Sequence, residues 1–349
     1  MDQDQTEALT AAVQRAIETR QPLRAHGHGS KAFCGNPAAG QALDITGHSG
    51  VLSYEPGDLV ITARAGTPLA QLDAVLAAQG QMLGFEPPHF GGRGTLGGAI
   101  AAGLSGPRRP WAGSVRDFVL GVRAINGHGQ VVRFGGETIK NVAGYDLPRL
   151  YAGSLGAFGV LLEASLRVLP VPETEVTLAL EPADPRRAMI DWQRRPWPLS
   201  GLCVDGGRTY LRLSGTADGV NAARQQIGGG ELPDGAAFWQ ALRDFELPFF
   251  AGDAPLWRVS LPPATPPLDL PGEWLLDWGG AQRWLRSAAP PAQVWTTAVA
   301  AHGHATLVRG GDRSGSVFQP VSAAQAAIER RLKGELDPAG VFGGGRGEC

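Results

Sequence analysis

Gly91–Gly113 reads GGRGTLGGAIAAGLSGPRRPWAG and decides what kind of fold the chain can adopt. Eight of its 23 residues are glycine, which tolerates positive φ and lets a ligand come close to the backbone. The apolar run Ala99–Ala102 separates the glycine clusters, so we predict a loop, a short buried helix and a second loop. Exposed backbone N–H groups in such a segment suit the oxygens of a long polyphosphate ligand. A flexible linker is the alternative, but linkers lack an apolar core.

The same stretch contains the G-x-G-x-x-G pattern of a dinucleotide-binding turn, at Gly92, Gly94 and Gly97. That turn follows a buried parallel strand, whereas the preceding residues Gly84–Phe90 read GFEPPHF. Two consecutive prolines do not occur in the centre of a parallel strand. We therefore predict that this segment is not a Rossmann turn.

Length and composition exclude several classes of protein. The 349 residues suffice for two domains, and 43% hydrophobic content beside 50 Gly and 27 Pro is typical of a loop-rich globular protein. A formal net charge of -2 argues against nucleic-acid binding. No apolar run approaches the length of about 18 residues that marks a membrane span, and the N-terminus is acidic. We expect a cytoplasmic protein that docks on a membrane only through partners.

Cysteine, charge and tryptophan usage bear on partners. Cys34, Cys203 and Cys349 are far apart, so the chain alone cannot provide four cysteine ligands for an iron–sulfur cluster. Only 18% of residues are charged, and eight of the nine tryptophans follow residue 190. Both features favour a partner surface in the second half of the chain. A Gly/Ala/Pro-rich composition and a Trp-rich core are the alternative explanations.

The spacing of apolar residues predicts mixed helices and strands, with domain boundaries at 1–172, 173–300 and 301–349. In the first part we predict these elements: a helix at Thr6–Arg20, a strand at Leu59–Ala65, a helix capped by Thr67, a hairpin of Val119–Ile125 with Val131–Phe134, and a strand at Val160–Val168. Beyond them we predict a hairpin at Gly201–Leu213, helices at Ala217–Gln226, Ala236–Phe245 and Ser322–Lys333, and strands at Leu256–Leu261, Glu273–Asp277, Val294–Ala300 and Ala301–Arg309.

Two clusters of polar residues offer chemistry. The loop His26–Lys31 reads HGHGSK, whose glycines, hydroxyl and lysine suit a pyrophosphate, although its order differs from a Walker loop. His26 and His28 lack a nearby third ligand, so a metal site is the minor alternative. Late in the chain, His302, His304 and Arg309 offer a base and a cation for a small carboxylate. Histidines beside glycine on a strand also commonly serve packing.

A series of motifs, in this order, resembles one known superfamily. They are SKAF (Ser30–Phe33), ITARAGTPL (Ile61–Leu69), GQML (Gly80–Leu83), EPPHF (Glu86–Phe90), SGPRRPW (Ser105–Trp111), GSVRDFVLG (Gly113–Gly121), KNVAGYDL (Lys140–Leu147), DWGGAQRWL (Asp277–Leu285) and GHAT (Gly303–Thr306). The series resembles the vanillyl-alcohol oxidase superfamily, with its PCMH-type FAD-binding domain. Within it, the chain is similar to the family of FAD-binding E subunits of bacterial glycolate oxidase, over nearly its whole length.

The resemblance implies an α+β fold, in which a PCMH-type FAD-binding domain is followed by a smaller α+β cap domain with an antiparallel sheet. It implies FAD as the cofactor. The implied contacts to FAD are His26, Gly27, His28, Gly29, Ser30, Lys31, Thr95, Leu96, Gly97, Gly98, Ser105, Gly106, Gly113, Gly156 and Val160. Lys140 and Asp146 either belong to this set or fix their own loop. The superfamily tail commonly ends in NPGR, whereas here Gly343-Gly-Gly-Arg346 has lost the Asn-Pro.

The resemblance also implies that FAD is bound non-covalently. Relatives that tether the flavin from the first loop place a His where this chain has Ser30. Cys34 follows that loop by four residues, so we do not expect it to provide an alternative link.

The implied function is that of a subunit of a membrane-associated glycolate oxidase, which oxidises glycolate to glyoxylate and passes electrons towards a quinone-linked acceptor. The implied partners are a paralogous FAD-linked catalytic subunit and an iron–sulfur subunit. Two alternatives stay open. One is a self-sufficient FAD oxidoreductase for another small 2-hydroxy acid, with His302, His304 and Arg309 as its candidate residues. The other is a scaffold whose bound FAD does not turn over.

Overall fold

The computed structural model describes residues 3–37, 39–136 and 146–343. The chain divides into two compact units, of which the first contains Met1–Ser105, Gly113–Pro170 and Pro320–Cys349, and the second contains Gly106–Ala112 and Val171–Gln319. The domain boundaries at 172 and 300 stay a prediction, because compactness in space does not define an independently folding domain. In the described part of the chain, no helix combines the length and the apolar character needed to cross a bilayer.

The first unit combines short strands with helices from both ends of the chain. Its elements are α1 (Thr6–Thr19), β1 (Leu23–His26), β2 (Gln41–Asp44), β3 (Val51–Glu55), β4 (Val60–Arg64), α2 (Leu69–Ala77), β5 (Gln81–Met82), α3 (Leu96–Ala102), α5 (Val115–Phe118), β6 (Val119–Ile125), β7 (Val131–Gly135), β8 (Val160–Arg167), β9 (Leu169–Pro170) and α10 (Ala323–Leu336). The short helix α4 (Arg109–Ala112) belongs to the second unit.

A five-stranded sheet in the order β3-β4-β8-β6-β7 forms the core of the first unit, and its ladders are antiparallel. Polar residues alternate with apolar ones in the central strand β8 (VLLEASLR) and predict a half-buried strand, but β8 is buried along nearly all of its length. Glu163 and Ser165 are buried with polar partners, Arg123 and Thr62. α3, the helix inside the glycine-rich stretch, packs against β8. β1 and β2 form a separate parallel pair. The loop that follows β1 and the glycine-rich stretch 91–105 therefore belong to the same unit.

The second unit is also a mixture of helices and antiparallel strands. After α4, its elements are β10 (Thr174–Leu180), α6 (Pro185–Gln193), β11 (Leu199–Asp205), β12 (Arg208–Gly215), α7 (Ala217–Ile227), β13 (Gly230–Glu231), α8 (Gly235–Asp244), β14 (Leu256–Ser260), β15 (Glu273–Asp277), β16 (Gln282–Arg286), α9 (Pro291–Ala300) and β17 (His304–Arg309). The strands form one eight-stranded sheet in the order β13-β10-β12-β11-β15-β16-β14-β17. Two apolar clusters, one around Leu211 and one around Leu285, form its core.

Several predictions of local structure are confirmed, and two are wrong. α1, both predicted hairpins and α10 form where the sequence predicts them. The predicted strand at Val294–Ala300 is wrong, because these residues belong to α9, with Pro291 in its first turn and Val294 and Ala298 buried on one face. Its β-branched residues favour a strand locally, but burial of one helical face outweighs that propensity. The helix cap predicted at Thr67 is also wrong. Its hydroxyl accepts from the Gly50 N–H and donates to the Gly50 carbonyl, so it does not bond to the N–H groups at the start of α2.

The prediction that the glycine stretch is not a Rossmann turn is confirmed. The residues between β5 and Thr95 form no strand, and the sheet behind α3 is antiparallel rather than parallel. The mixed α+β class with antiparallel sheets is confirmed as well.

Candidate cofactor-binding site

A cavity of about 600 Å³ lies in the first unit. This volume falls within the range of about 300–1,000 Å³ that small-molecule sites occupy. Three segments that are distant in sequence form most of its walls: residues 24–40 around the first glycine loop, the first turns of α3, and the loop that leads into β8. The cavity therefore gathers the glycine-rich segments that the sequence analysis singled out.

The structure brings ten of the predicted contact residues to this cavity. They are His26, Gly27, His28, Gly29, Ser30, Lys31, Thr95, Gly97, Gly98 and Gly156. As contacts to FAD they stay a prediction, but the chain places all ten on the wall of one cavity.

The other five predicted contacts lie elsewhere. Leu96 and Val160 are core residues, 1% and 0% exposed. The Ser105 hydroxyl accepts a hydrogen bond from the Val115 N–H at 3.0 Å. Gly113 has a φ of 108° beside Asp117, and Gly106 belongs to the second unit, where its carbonyl accepts from the Trp278 indole N–H at 3.0 Å. In the structure, these five residues have packing or hydrogen-bonding roles.

The start of α3 is held against β4 without side chains in between. Thr95 caps the helix by accepting a hydrogen bond from the Gly98 N–H at 3.3 Å. The Gly97 N–H donates to the Ala65 carbonyl at 2.7 Å, and a Cβ on Gly97 would lie 2.7 Å from the Ala65 Cβ. At Gly98 a Cβ would meet only the Thr95 hydroxyl at 3.0 Å and the Lys31 ammonium at 3.9 Å. Gly97 therefore serves helix–strand packing, whereas Gly98 faces the cavity.

The cavity wall contains basic side chains, and no Asp or Glu is among the described residues that line it. The basic residues are Arg24, His26, His28 and Lys31. The Lys31 ammonium lies 3.4 Å from the Ser30 hydroxyl and 5.4 Å from the centre of the Phe90 ring. Asp44 lies opposite His26 in the β1–β2 register, where a hydrogen bond from the Thr46 backbone lowers the pKa of Asp44 and the charges of the two histidines lower it further. This donor set suits a ligand with phosphate groups.

The loop before β8 has an unusual backbone conformation where it faces the cavity. Leu155 has a φ of 53° and Gly156 a φ of 83°, both in the left-handed region. The Leu155 N–H donates to the Ala101 carbonyl at 2.8 Å, which fixes the loop to the end of α3. Among the described residues, a Cβ on Gly156 would lie within 4 Å of the Gly343 carbonyl alone, at 3.9 Å. The loop thus presents bare backbone to the cavity.

Sequence reasoning missed several residues of the wall. Cys34 lines the cavity, although its distance from Ser30 in sequence suggested otherwise. Arg24, Ala101 and Ala102 also line it. The alanines follow Gly97 and Gly98 at helical spacing, and that periodicity is a signal that could have identified them.

The remaining candidates do not line this cavity. His302 and His304 are exposed in the second unit, and Arg309 donates to the Phe250 carbonyl. Four strand residues separate His304 from Arg309, so their Cα atoms lie about 16 Å apart. Lys140 lies outside the described residues, and Asp146 forms an ion pair with Arg149 at 3.2 Å. Among the residues that the structure describes, no group of three or more His, Cys, Asp or Glu side chains could hold a metal ion.

Known proteins match the chain in both sequence and fold. The profile of a family described as an FAD binding domain matches residues 4–135. Over 345 residues the chain is 50% identical to glycolate oxidase subunit GlcE of Escherichia coli (strain K12). The alignment covers 98% of this chain and 97% of that protein. The chain belongs to the GlcE family of glycolate oxidase subunits.

Other relatives place this GlcE family member more broadly. It is 32% identical over 177 residues to glycolate oxidase subunit GlcD of Bacillus subtilis (strain 168). The aligned residues make up 50% of this chain and 37% of GlcD. A solved structure of alkyldihydroxyacetonephosphate synthase matches with a TM-score of 0.66, covering 96% of this chain and 74% of that one. Their sequences are 13% identical, so this match concerns the fold alone. The predicted PCMH-type FAD-binding fold and the mixture of helices with antiparallel sheet are confirmed.

Proposed function

We propose that the chain binds one FAD in the cavity of its first unit and serves as a subunit of a glycolate oxidase. The cavity carries this proposal. Three segments meet around it, its lining includes four basic side chains and no carboxylate among the described residues, and glycines open it towards the backbone. The family profile for an FAD binding domain covers two of those three segments.

The cavity residues fit the parts of FAD. Lys31 and Arg24 would offset the charge of the pyrophosphate, while Gly29 and Gly98 would let it approach the backbone. The bare backbone at Gly156 would let a flat ring or a sugar lie against the loop before β8. When bound, FAD supplies the redox chemistry by which a 2-hydroxy acid is oxidised. The protein's own contribution is to bind, orient and screen the cofactor.

We propose that the FAD is held without a covalent bond. Ser30 supports this, since its hydroxyl does not form the link made by a histidine at that position. Cys34 is the residue to check, because it lines the same cavity. Acid precipitation should release all of the flavin colour into the supernatant. Colour that stays in the pellet of the native chain but is released from a Cys34→Ser variant would instead assign a thioether at Cys34.

The glycolate activity belongs to an assembly in this proposal. The name of the E. coli relative describes a subunit of glycolate oxidase, and GlcD names a second subunit to which this chain is related. With three cysteines, the chain needs an iron–sulfur partner to carry electrons beyond the flavin. We therefore propose a GlcD-like FAD subunit as the site of glycolate oxidation and an iron–sulfur subunit as the electron acceptor. Association with the inner face of the plasma membrane is part of the same proposal.

Tryptophan content does not identify the partner surface. All eight tryptophans after residue 190 lie in the described part of the second unit, and none of them is exposed. Four are at most 4% exposed: Trp239, Trp257, Trp278 and Trp284. These four belong to its core, and the other four are half-buried.

Expression of the chain alone and with its partners tests the proposed assembly. We expect glycolate-dependent dye reduction only when the partners are present, and membrane sedimentation under the same condition. Full turnover by the isolated chain would refute the assembly proposal and favour a self-sufficient 2-hydroxy-acid oxidoreductase.

A further inference from the structure

Lys333, in the last turn of α10, makes an unusual set of contacts for a partly exposed lysine. Its ammonium donates to the Ala157 carbonyl at 2.8 Å, to the Phe342 carbonyl at 2.8 Å and to the Asp337 carboxylate at 2.6 Å. These three bonds use all three N–H donors of the side chain. Because all three donors are bonded, the ammonium is fixed in one place, whereas the head groups of most surface lysines extend into water.

The first of these contacts reaches one wall of the cavity. Ala157 directly follows Gly156 in the left-handed loop before β8, and Gly156 lines the cavity. The same loop is tied to α3 through Leu155. Lys333 thus ties this loop to α10, in addition to its tie to α3.

The second contact reaches the other wall. Phe342 is part of a segment that runs beside β1, in which the Leu23 N–H donates to the Val341 carbonyl at 2.6 Å and the Gly343 N–H donates to the Leu23 carbonyl at 3.0 Å. β1 leads directly into the first glycine loop through His26. The ammonium of Lys333 therefore links the β1 wall to the loop before β8.

The third contact explains why this lysine must be charged. The Asp337 side chain is fully buried, and its two oxygens accept from the Val341 N–H at 3.0 Å and the Phe342 N–H at 2.9 Å. Lys333 is its cation partner at 2.6 Å. Removing the ammonium would leave a buried carboxylate without a countercharge and two carbonyls without their donor, which is costly in a partly buried site.

We propose that Lys333 is a positioning residue of the cofactor site, which holds the β1 wall and the loop before β8 at the separation that FAD requires. This proposal rests on the proposed function, since it takes FAD as the ligand. It assigns a role in cofactor binding to a residue about 175 positions from the loop it supports, on a helix that does not line the cavity.

A graded series of variants of the full chain tests the proposal. Lys333→Arg keeps a charged donor, Lys333→Gln keeps a neutral donor, and Lys333→Met keeps neither. Arg331→Met is the matched control, because it removes an exposed cation from the same helix. Two quantities are measured for each variant after removal of bound flavin: the Kd for FAD by titration, and the amide hydrogen exchange of the two walls without ligand. Circular dichroism first establishes that each variant is folded at the temperature used.

We expect the Kd for FAD to rise at least tenfold in Lys333→Met, less in Lys333→Gln, and to stay within twofold of the native value in Arg331→Met. Exchange should accelerate in the loop 154–159 and in residues 341–343, while the core strands β4 and β8 keep their protection. A folded Lys333→Met chain with native FAD affinity would overturn the proposal, as would unchanged exchange in both walls. If Lys333→Met does not fold, Lys333→Gln decides by the same two criteria. If the native chain binds no FAD, the proposed function falls, and the exchange measurement alone decides whether Lys333 holds the walls together.

Discussion

Gly97 and Gly98 are neighbours in the first turn of α3, yet adding a methyl group to each should have opposite consequences. At Gly97 the new Cβ would lie 2.7 Å from the Ala65 Cβ and 3.1 Å from the Ala65 carbonyl oxygen, so α3 must move away from β4. Overpacking of this kind costs about 1–3 kcal/mol. Weakening of the hydrogen bond from Gly97 to Ala65 adds about 1 kcal/mol. The better helix propensity of alanine offsets about 1 kcal/mol of this loss of stability.

At Gly98 the balance differs, because among the described residues the Thr95 hydroxyl lies nearest to the new Cβ, at 3.0 Å, and the Lys31 ammonium follows at 3.9 Å. Alanine favours a helix over glycine by about 1 kcal/mol. The small shift of the Thr95 cap that the methyl group requires offsets part of this gain. The methyl group would, however, project towards Lys31 and the cavity. We therefore expect Gly97→Ala to lower the free energy of unfolding of the flavin-free chain by about 1–3 kcal/mol. We expect Gly98→Ala to change it by less than about 1 kcal/mol and to weaken FAD binding at least tenfold.

Urea denaturation of the flavin-free variants measures the first quantity, and titration with FAD measures the second. The native chain and a methyl addition at an open glycine of the second unit, Gly230→Ala, are the controls. A folded Gly98→Ala chain that binds FAD with native affinity would refute the reasoning, because it would mean that the ligand does not approach the backbone at α3.

Two further predictions concern buried polar groups of the first unit. Burial lowers the pKa of His48, and the Asp4 carboxylate at 3.7 Å opposes this only in part, so the imidazole is neutral in the folded chain and binds protons more readily when unfolded. The contribution of His48 to the free energy of unfolding is therefore complete above the unfolded pKa of about 6.5, and it is lost as the pH falls below that value. The variant His48→Asn should show a weaker pH dependence of the free energy of unfolding, measured by urea titration between about pH 7 and 5. Tyr151 is 2% exposed, its hydroxyl has no hydrogen-bond partner among the residues that the structure describes, and burial raises its pKa to about 12. Tyr151→Phe should thus stabilise the flavin-free chain or leave it unchanged within about 1 kcal/mol, and a loss of stability in thermal melts would contradict this.

Local signals in the sequence were sufficient where the structure is local. The hairpin of β6 and β7 turns at Asn126, whose side-chain oxygen accepts from the His128 and Gln130 N–H groups. α1 buries Leu9, Val13 and Ala16 at helical spacing and ends at Arg20 with a φ of 53°. Such elements depend on neighbours within a few residues, so a single sequence contains what is needed to predict them.

The parts that the sequence did not reveal depend on contacts between distant residues. Nothing near Lys333 indicates that it bonds to Ala157, and nothing near Phe342 indicates that it lies beside Leu23. Leu96 and Val160 belong to motifs that predict cofactor contact, yet the sheet buries both in its core. Cys34 reaches the cavity because the chain folds back between β1 and β2. Local spacing does not predict these contacts, because they arise from tertiary packing.

The central claim, that the cavity of the first unit binds FAD, is tested most directly by equilibrium titration of the purified, flavin-free full chain with FAD. The account predicts saturable binding of one FAD per chain, accompanied by a change in the flavin spectrum and lost in the Gly98→Ala variant at the same concentrations. A chain that is folded by circular dichroism and shows no saturable binding of FAD would contradict it.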